Sequence, residues 1–329
     1  MEADESMSAW LRWAALAALV GCSWCVPAQA VGYPDRPVTL VVSFAPGGIT
    51  DVMARAYADV ISRNVGQRVV VENRSTGAGA VAASTVQKAA PDGYTLLVFA
   101  GAQNAVLPAM EPVPYEPIDG FAPVTVLFNL VNFLVAPNDS PAKTLGGLLA
   151  LGRSKPGGLS AGTAGVGTTG HLTAARIGLS TGTPIQAVQY RGGAPMLADL
   201  LAGRIDFALL AYNVVKGQVA AGKLRLLAVD ADERWPDAPD VPTLSEAGVH
   251  QPKVASWFAL AAPRGTPAAI VQKIHDEFVK AARDPELAQR ARQNGALITP
   301  TTPEQLREMM VREAESTGGL VRQLGLRPQ

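Results

Sequence analysis

From Val38 to Val229 the chain alternates short apolar runs with stretches whose apolar positions recur every three or four residues, which predicts an α/β protein with largely parallel strands. The first unit is a strand, Val38 to Ser43, then the turn Phe44-Ala45-Pro46-Gly47-Gly48-Ile49-Thr50-Asp51. A helix follows, with Val52, Met53, Ala56, Tyr57, Val60 and Ile61 on one face and Gly66 at its end. A second strand, Val69 to Glu72, meets another glycine turn, Asn73 to Gly79, and a helix over Val81 to Ala89. Tyr94 to Phe99 forms the third strand.

The plan then repeats. Val124 to Leu127 and Phe133 to Ala136 read together as one crossing into a second lobe. There, Leu159 to Thr163 is a strand, Gly165 to Gly170 a glycine turn, and His171 to Leu179 a helix with Leu172, Ala175 and Leu179 on one face. Ile185 to Tyr190, Phe207 to Ala211 and Leu224 to Val229 are further strands. Pro195 to Ala202 is a helix capped by Gly203. Ser256 to Ala262 reads as the crossing back. The remainder is helical, with segments over Pro267 to Ala282 and Pro285 to Gln293 and a third opening at Thr302-Pro303-Glu304, all expected to cover the first lobe. The expected domains are therefore 31–127 with 256–329 as a discontinuous first lobe, and 128–255 as the second.

The first thirty residues read differently. Trp10 to Val26 is apolar with only Arg12 charged, and it closes on Ala28-Gln29-Ala30, a small-x-small pattern that suits signal peptidase. This predicts an exported, periplasmic protein. The acidic residues Glu2, Asp4 and Glu5 are wrong for the start of a leader and place the expected translation start at Met7. Leu19-Val20-Gly21-Cys22 offers the alternative of a lipid anchor on Cys22.

Both cysteines, Cys22 and Cys25, lie in that leader, so a chain cut after Ala30 has no disulfide framework, thiolate metal site or cysteine nucleophile. The 28 basic and 28 acidic residues balance. Losing Arg12 with the three acidic residues leaves an excess of two positive charges, too small for a nucleic-acid partner.

In parallel sheets the ligand lies beyond the carboxyl ends of the strands, where helix N-termini present unpaired N–H groups to an anion. That rule nominates Phe44, Pro46, Gly47, Gly48, Thr50 and Gly101 in the first lobe. In the second it nominates Thr163, Gly167, Thr168, Thr169, His171, Tyr190, Arg191, Gly192 and Tyr212. Asp51 suits a first-turn or capping role better than ligand contact, since its charge repels an anion. The two glycine loops together would hold a carboxylate with backbone N–H groups and hydroxyls, without a buried cation.

Catalytic signatures are missing: the three histidines, His171, His250 and His275, are widely spaced and no nucleophile elbow or phosphate loop is present. No metal site and no cofactor is expected. The one enzyme alternative is an NADP-dependent oxidoreductase, because Gly165-Val166-Gly167-Thr168-Thr169-Gly170 spells the dinucleotide fingerprint. The acidic ribose partner of that motif is absent, with Tyr190 and Arg191 at its place.

The chain resembles the Bug-type solute-binding proteins of tripartite tricarboxylate transporters. The likeness rests on Tyr33-Pro34-Asp35-Arg36-Pro37-Val38, Pro46 to Asp51, Val71-Glu72-Asn73-Arg74, Pro91 to Leu96, Gly165 to Thr168 with His171-Leu172, and Tyr190 to Pro195. It continues in Asp199 to Gly203, Asp240 to Thr243 with Glu246 to Gly248, and Ala262 to Pro267. The resemblance implies a two-lobed periplasmic-binding-protein fold of type II-like topology. It also implies closure on a small carboxylate, whether dicarboxylate, amino acid or aromatic acid, and delivery to the membrane permease subunits. Where the family has Asn-Arg-Pro-Gly-Ala-Gly-Gly, this chain has Asn73-Arg74-Ser75-Thr76-Gly77-Ala78-Gly79-Ala80, one residue longer and without the proline. Ala259 replaces a glycine common after the tryptophan, Trp257.

Overall fold

The computed structural model describes residues 32–190, 192–250, 254 and 256–327. The chain divides into two compact units, Met1–Asp35 and Arg36–Gln329, and the second holds every element described below. The leader features, including Cys22 and the Ala28-Gln29-Ala30 site, lie outside the described residues, as does Arg191.

The long unit contains two α/β lobes, each built on one mixed sheet. The first sheet comprises β1 (Val38–Val42), β2 (Val69–Asn73), β3 (Thr95–Ala100), β4 (Phe121–Leu130), β10 (Trp257–Pro263) and β11 (Ala296–Leu297), in the order β11-β4-β10-β3-β1-β2. The second comprises β5 (Asn132–Pro137), β6 (Leu159–Thr163), β7 (Ile185–Gln189), β8 (Phe207–Ala211) and β9 (Leu224–Asp230), in the order β7-β6-β8-β5-β9.

Only the neighbours of β1 and β6 are parallel. β10 runs antiparallel to β3 and β4, and β5 antiparallel to β8 and β9. The largely parallel sheets expected from the β-α alternation are thus corrected. The segments read as crossings are themselves strands, because an apolar run that changes lobes still has to pair its backbone N–H and C=O groups inside a sheet. The passage from β4 to β5 is a single residue, Val131. Its N–H donates to the Gly295 carbonyl and its carbonyl accepts from the Tyr212 N–H.

The helices are α1 (Ile49–Val65), α2 (Ala80–Gln87), α3 (Leu107–Met110), α4 (Leu145–Ser154), α5 (Thr169–Thr181), α6 (Gly193–Leu201), α7 (Tyr212–Ala220), α8 (Ala268–Ala281), α9 (Pro285–Gln293) and α10 (Pro303–Gln323). α1 ends where the sequence indicates, on Gly66 at φ 70°. Thr302 caps α10, accepting the Gln305 N–H while the Gln305 side chain accepts the Thr302 N–H. α8 and α10 pack on β4, covering the first sheet.

α5 differs from its expected face. Leu179 is 48% exposed, and the buried residues are Leu172, Thr173, Ala174, Arg176 and Ile177. The inward face includes a threonine and an arginine because the buried carboxylate of Asp230 receives both. In the second sheet, Leu134 and Ala136 pack with α4 and α5, while Phe133 and Val135 face the opposite cluster with Met196 and Leu200 of α6.

Candidate ligand site

The two glycine loops are built alike. Gly47 has φ 80° and Gly167 φ 74°, conformations that suit glycine. Each is followed by an extended residue that opens the helix, Gly48 (φ −73°, ψ 167°) before α1 and Thr168 (φ −67°, ψ 157°) before α5. The third helical residue then reaches back. Asp51 Oδ2 accepts the Gly47 N–H at 2.9 Å, and His171 Nδ1 accepts the Gly167 N–H at 3.1 Å.

The two acceptors differ in charge. Burial pushes the Asp51 carboxyl up, but hydrogen bonds from Arg55, Gly47 and Asn73 outweigh it and hold the group below its usual range. The Arg55 guanidinium stands 2.9 Å from Oδ1 in an ion pair. For His171, burial pushes the imidazole below its ordinary value. Because Nδ1 accepts a proton from Gly167, the neutral ring carries its own proton on Nε2.

A cavity of about 300 Å³ lies between the lobes. The second lobe borders it with Gly167, Thr168, Thr169, Gly170, Leu172, Leu209, Ala164 and Asn132. The first borders it with Phe44, Ala100, Ala102, Val106, Leu130, Trp257, Phe258 and Glu313, and Val254 and Ser256 come from the returning chain. A π-type turn, Ala102–Val106, follows β3 and brings both of its end residues to the wall. The buried Gln103 fixes that turn, its Oε1 accepting the Ala100 N–H and its Nε2 donating to the Ala78 carbonyl. Phe44 rests on Phe258 with ring centroids 5.4 Å apart, and Phe258 stacks on Phe128 at 4.6 Å.

No lysine or arginine occurs among the described lining residues. An anion in this cavity therefore relies on N–H groups and neutral polar side chains. The N–H groups of Thr169, Gly170 and His171 open α5 without helical acceptors, as the first turn of any helix does. The Thr168 hydroxyl donates to the Gly165 carbonyl at 2.8 Å, so its proton is already committed. Asn132 donates to Ser256 Oγ at 3.2 Å, joining the two passages between the lobes at the cavity wall.

The residues nominated from sequence distribute unevenly. Phe44, Gly167, Thr168 and Thr169 border the cavity, and Gly101 is buried between the lining residues Ala100 and Ala102. Pro46, Gly47 and Gly48 form an exposed loop outside the lining, and Thr50 is buried in the first turn of α1. Thr163 is buried and donates to the Gln189 side chain; the Tyr190 hydroxyl donates to Asp199 at 2.8 Å; and Tyr212 packs between Phe133 and Trp235. Gly192, at φ 100°, opens α6.

The strand-end rule locates a neighbourhood but does not say which way a side chain leaves the strand. That is why Thr163, Tyr190 and Tyr212 stand at the expected ends and make other contacts. The lining residues the rule overlooks, Asn132, Ser256, Trp257 and Glu313, sit on the passages and on α10 rather than at a parallel-strand end. The run 256–262, read only as a crossing, is the signal that leads to three of the lining residues.

The dinucleotide alternative is not supported: the loop has no acidic ribose partner, and a Cβ built at Gly167 would lie 2.9 Å from Met110 Sδ and 3.0 Å from Val106 Cγ1 of the first lobe, a close approach that accounts for the glycine without a pyrophosphate.

Residues 53–326 match the family model described as the tripartite tricarboxylate transporter family receptor, TctC. The protein BugT of Bordetella pertussis is 32% identical over 301 residues, which cover 91% of this chain and 92% of BugT. A solved R. palustris protein with adipate is 34% identical with a TM-score of 0.74, covering 90% of this chain and 100% of its own. MatC from Rhodopseudomonas palustris with bound malate is 31% identical with a TM-score of 0.70, covering 88% and 100%. The two-lobed architecture expected from the sequence resemblance is the one observed.

Proposed function

This chain belongs to the tripartite tricarboxylate transporter receptor family, and from that premise we propose that it is a periplasmic receptor, exported by its leader, whose lobes close on a small carboxylate. It then presents the solute to the membrane permease subunits of its transporter. The observation that carries this reading is the interlobe cavity of about 300 Å³, with a helix start in its wall and no cationic side chain among the described lining residues. Adipate and malate in the two R. palustris relatives are carboxylates of a size for such a space. The receptor role is one of binding rather than catalysis.

The proposed contacts are Gly167 to Gly170 on the second lobe and Phe44, with Gly101 behind it, on the first. Pro46, Gly47, Gly48, Thr50, Thr163, His171, Tyr190, Gly192 and Tyr212 act, in this reading, by shaping the two halves that move, while Arg191, a ligand contact expected from the sequence, lies outside the described residues. The lobe limits fall near residues 128 and 255. Closure brings the exposed loop 45–48 toward the second lobe, and water bridges complete the coordination.

Isothermal titration of the mature chain with malate, adipate, aspartate and benzoate tests the proposal. Binding of at least one, with a thermal shift, is expected. Binding of none, together with binding of NADPH, would overturn it. The export step has its own measurement: the chain recovered from the periplasm of a Gram-negative host should begin at Val31.

A further inference from the structure

Val131, the residue that passes between β4 and β5, is held from both sides. Its N–H donates to the Gly295 carbonyl at 2.9 Å, and its carbonyl accepts the Tyr212 N–H at 3.4 Å. Gly295 belongs to the first lobe, between α9 and β11, and Tyr212 opens α7 of the second. A line of backbone hydrogen bonds therefore runs from one lobe to the other through the passage itself.

Each end of that line is anchored in its own lobe. The Gly295 N–H donates to the Arg292 carbonyl near the end of α9, and the next residue, the fully buried Ala296, pairs with Leu130 in the first sheet. The Tyr212 ring packs against Phe133 and Trp235. Gly295 also lies directly against the second lobe: a Cβ built on it would stand 3.4 Å from the backbone nitrogens of Tyr212 and Asn213. Gly167 faces the other lobe as well, but the atoms it would meet there are side-chain ends, Met110 Sδ and Val106 Cγ1. One contact between the lobes can give; the other is backbone against backbone.

The φ of Gly295, 72°, follows from its place after α9, where glycine commonly ends a helix. That place does not explain why the residue abuts the start of α7. None of Gly295, Val131, Tyr212 and Asn213 borders the interlobe cavity. Two bodies that turn on each other move least near their axis, and here their backbones touch and share one hydrogen-bonded residue.

Resting on the receptor reading above, we propose that Gly295 is a positioning residue for solute capture: with Tyr212 it forms a bare-backbone pivot around Val131, and its lack of a side chain lets the lobes seat in the closed arrangement. A side chain at this position is a wedge between the first lobe and the start of α7. It raises the free energy of the closed form and so lowers carboxylate affinity without touching the carboxylate.

The test compares Gly295→Asn with Gly203→Asn. Gly203 follows α6 at φ 67° with nothing within 4 Å of its Cβ position, and asparagine tolerates that left-handed conformation. The two variants thus share backbone strain, and only one carries the wedge. In titration calorimetry with malate and adipate, Gly295→Asn should bind roughly fivefold more weakly or worse, and Gly203→Asn should bind as the parent does. Small-angle scattering should show less contraction on adding solute in Gly295→Asn than in the parent. Gly295→Ala, which adds the Cβ alone, should show a smaller loss in the same sense and carries the test should the asparagine variant fail to fold. Affinities of folded Gly295 variants equal to that of Gly203→Asn would overturn the pivot and leave the receptor reading intact. An unaltered protein that binds none of malate, adipate, aspartate and benzoate would overturn the receptor reading, and with it the role of the pivot in capture.

Discussion

The guanidinium of Arg176 stands 3.0 Å from Asp230 Oδ1, with both side chains only 3% exposed, and the Thr173 hydroxyl donates to Asp230 Oδ2 at 3.2 Å. The pair fastens α5, whose first turn borders the cavity, to the end of β9. Removing one partner leaves a buried charge without its counter-ion. Arg176→Met should therefore cost about 3–5 kcal/mol in urea unfolding. Arg176→Met with Asp230→Leu should recover much of that, because desolvation of two ions is avoided. A single variant as stable as the parent would show that water reaches the pair.

The His171 imidazole titrates below its ordinary value because it is partly buried. Its neutral form is the one that accepts the Gly167 N–H. Since the unfolded chain takes up this proton first, its contribution to stability is full above about pH 6.5 and is lost as pH falls through the folded value. NMR titration of the His171 ring should place its midpoint below 6.5. His171→Asn should flatten the pH dependence of thermal stability just below that pH.

Gly79 has φ 89°, and a Cβ built there would lie 2.8 Å from Ser43 Cβ and 2.9 Å from the Ser43 carbonyl oxygen. Two backbones meet at this point, so neither can yield as a side-chain tip would. Gly79→Ala should destabilise by about 1–3 kcal/mol or more, measured by thermal or urea unfolding. Gly77→Ala makes a useful control for strain alone, having positive φ but meeting only the Ala80 Cβ, at 3.7 Å.

Asn132→Ala removes the hydrogen bond to Ser256 between the two interlobe passages. The expected loss in carboxylate affinity is about 0.5–1.5 kcal/mol, by titration calorimetry, with little change in unfolding midpoint. An unchanged affinity would mean that Asn132 neither touches the solute nor steadies closure.

Local patterns made the α/β repetition, the glycine loops and the C-terminal helices legible in the sequence. The chemistry of Gly66, Thr302 and Pro285 acts within one helical turn, so their helix ends could be read without tertiary information. The antiparallel role of 257–263 could not, because β10 pairs with β3 and β4, strands more than a hundred residues earlier. Burial of Arg176 was equally hidden, since its reason is Asp230 on another element. At the site, the sequence marked both loops correctly as helix starts. It did not reveal that Asp51 and His171 each take up a loop N–H, which is what makes the two ends unequal.

Val131 alone separates β4 from β5, and both of its backbone groups are hydrogen-bonded. The register of one sheet is consequently transmitted to the other. One extra residue at this point, with β4 held in place, would exchange the faces of Phe133 and Val135 with those of Leu134 and Ala136. Length variation between family members should therefore accumulate in the surface turns of either lobe, while this junction keeps a fixed count.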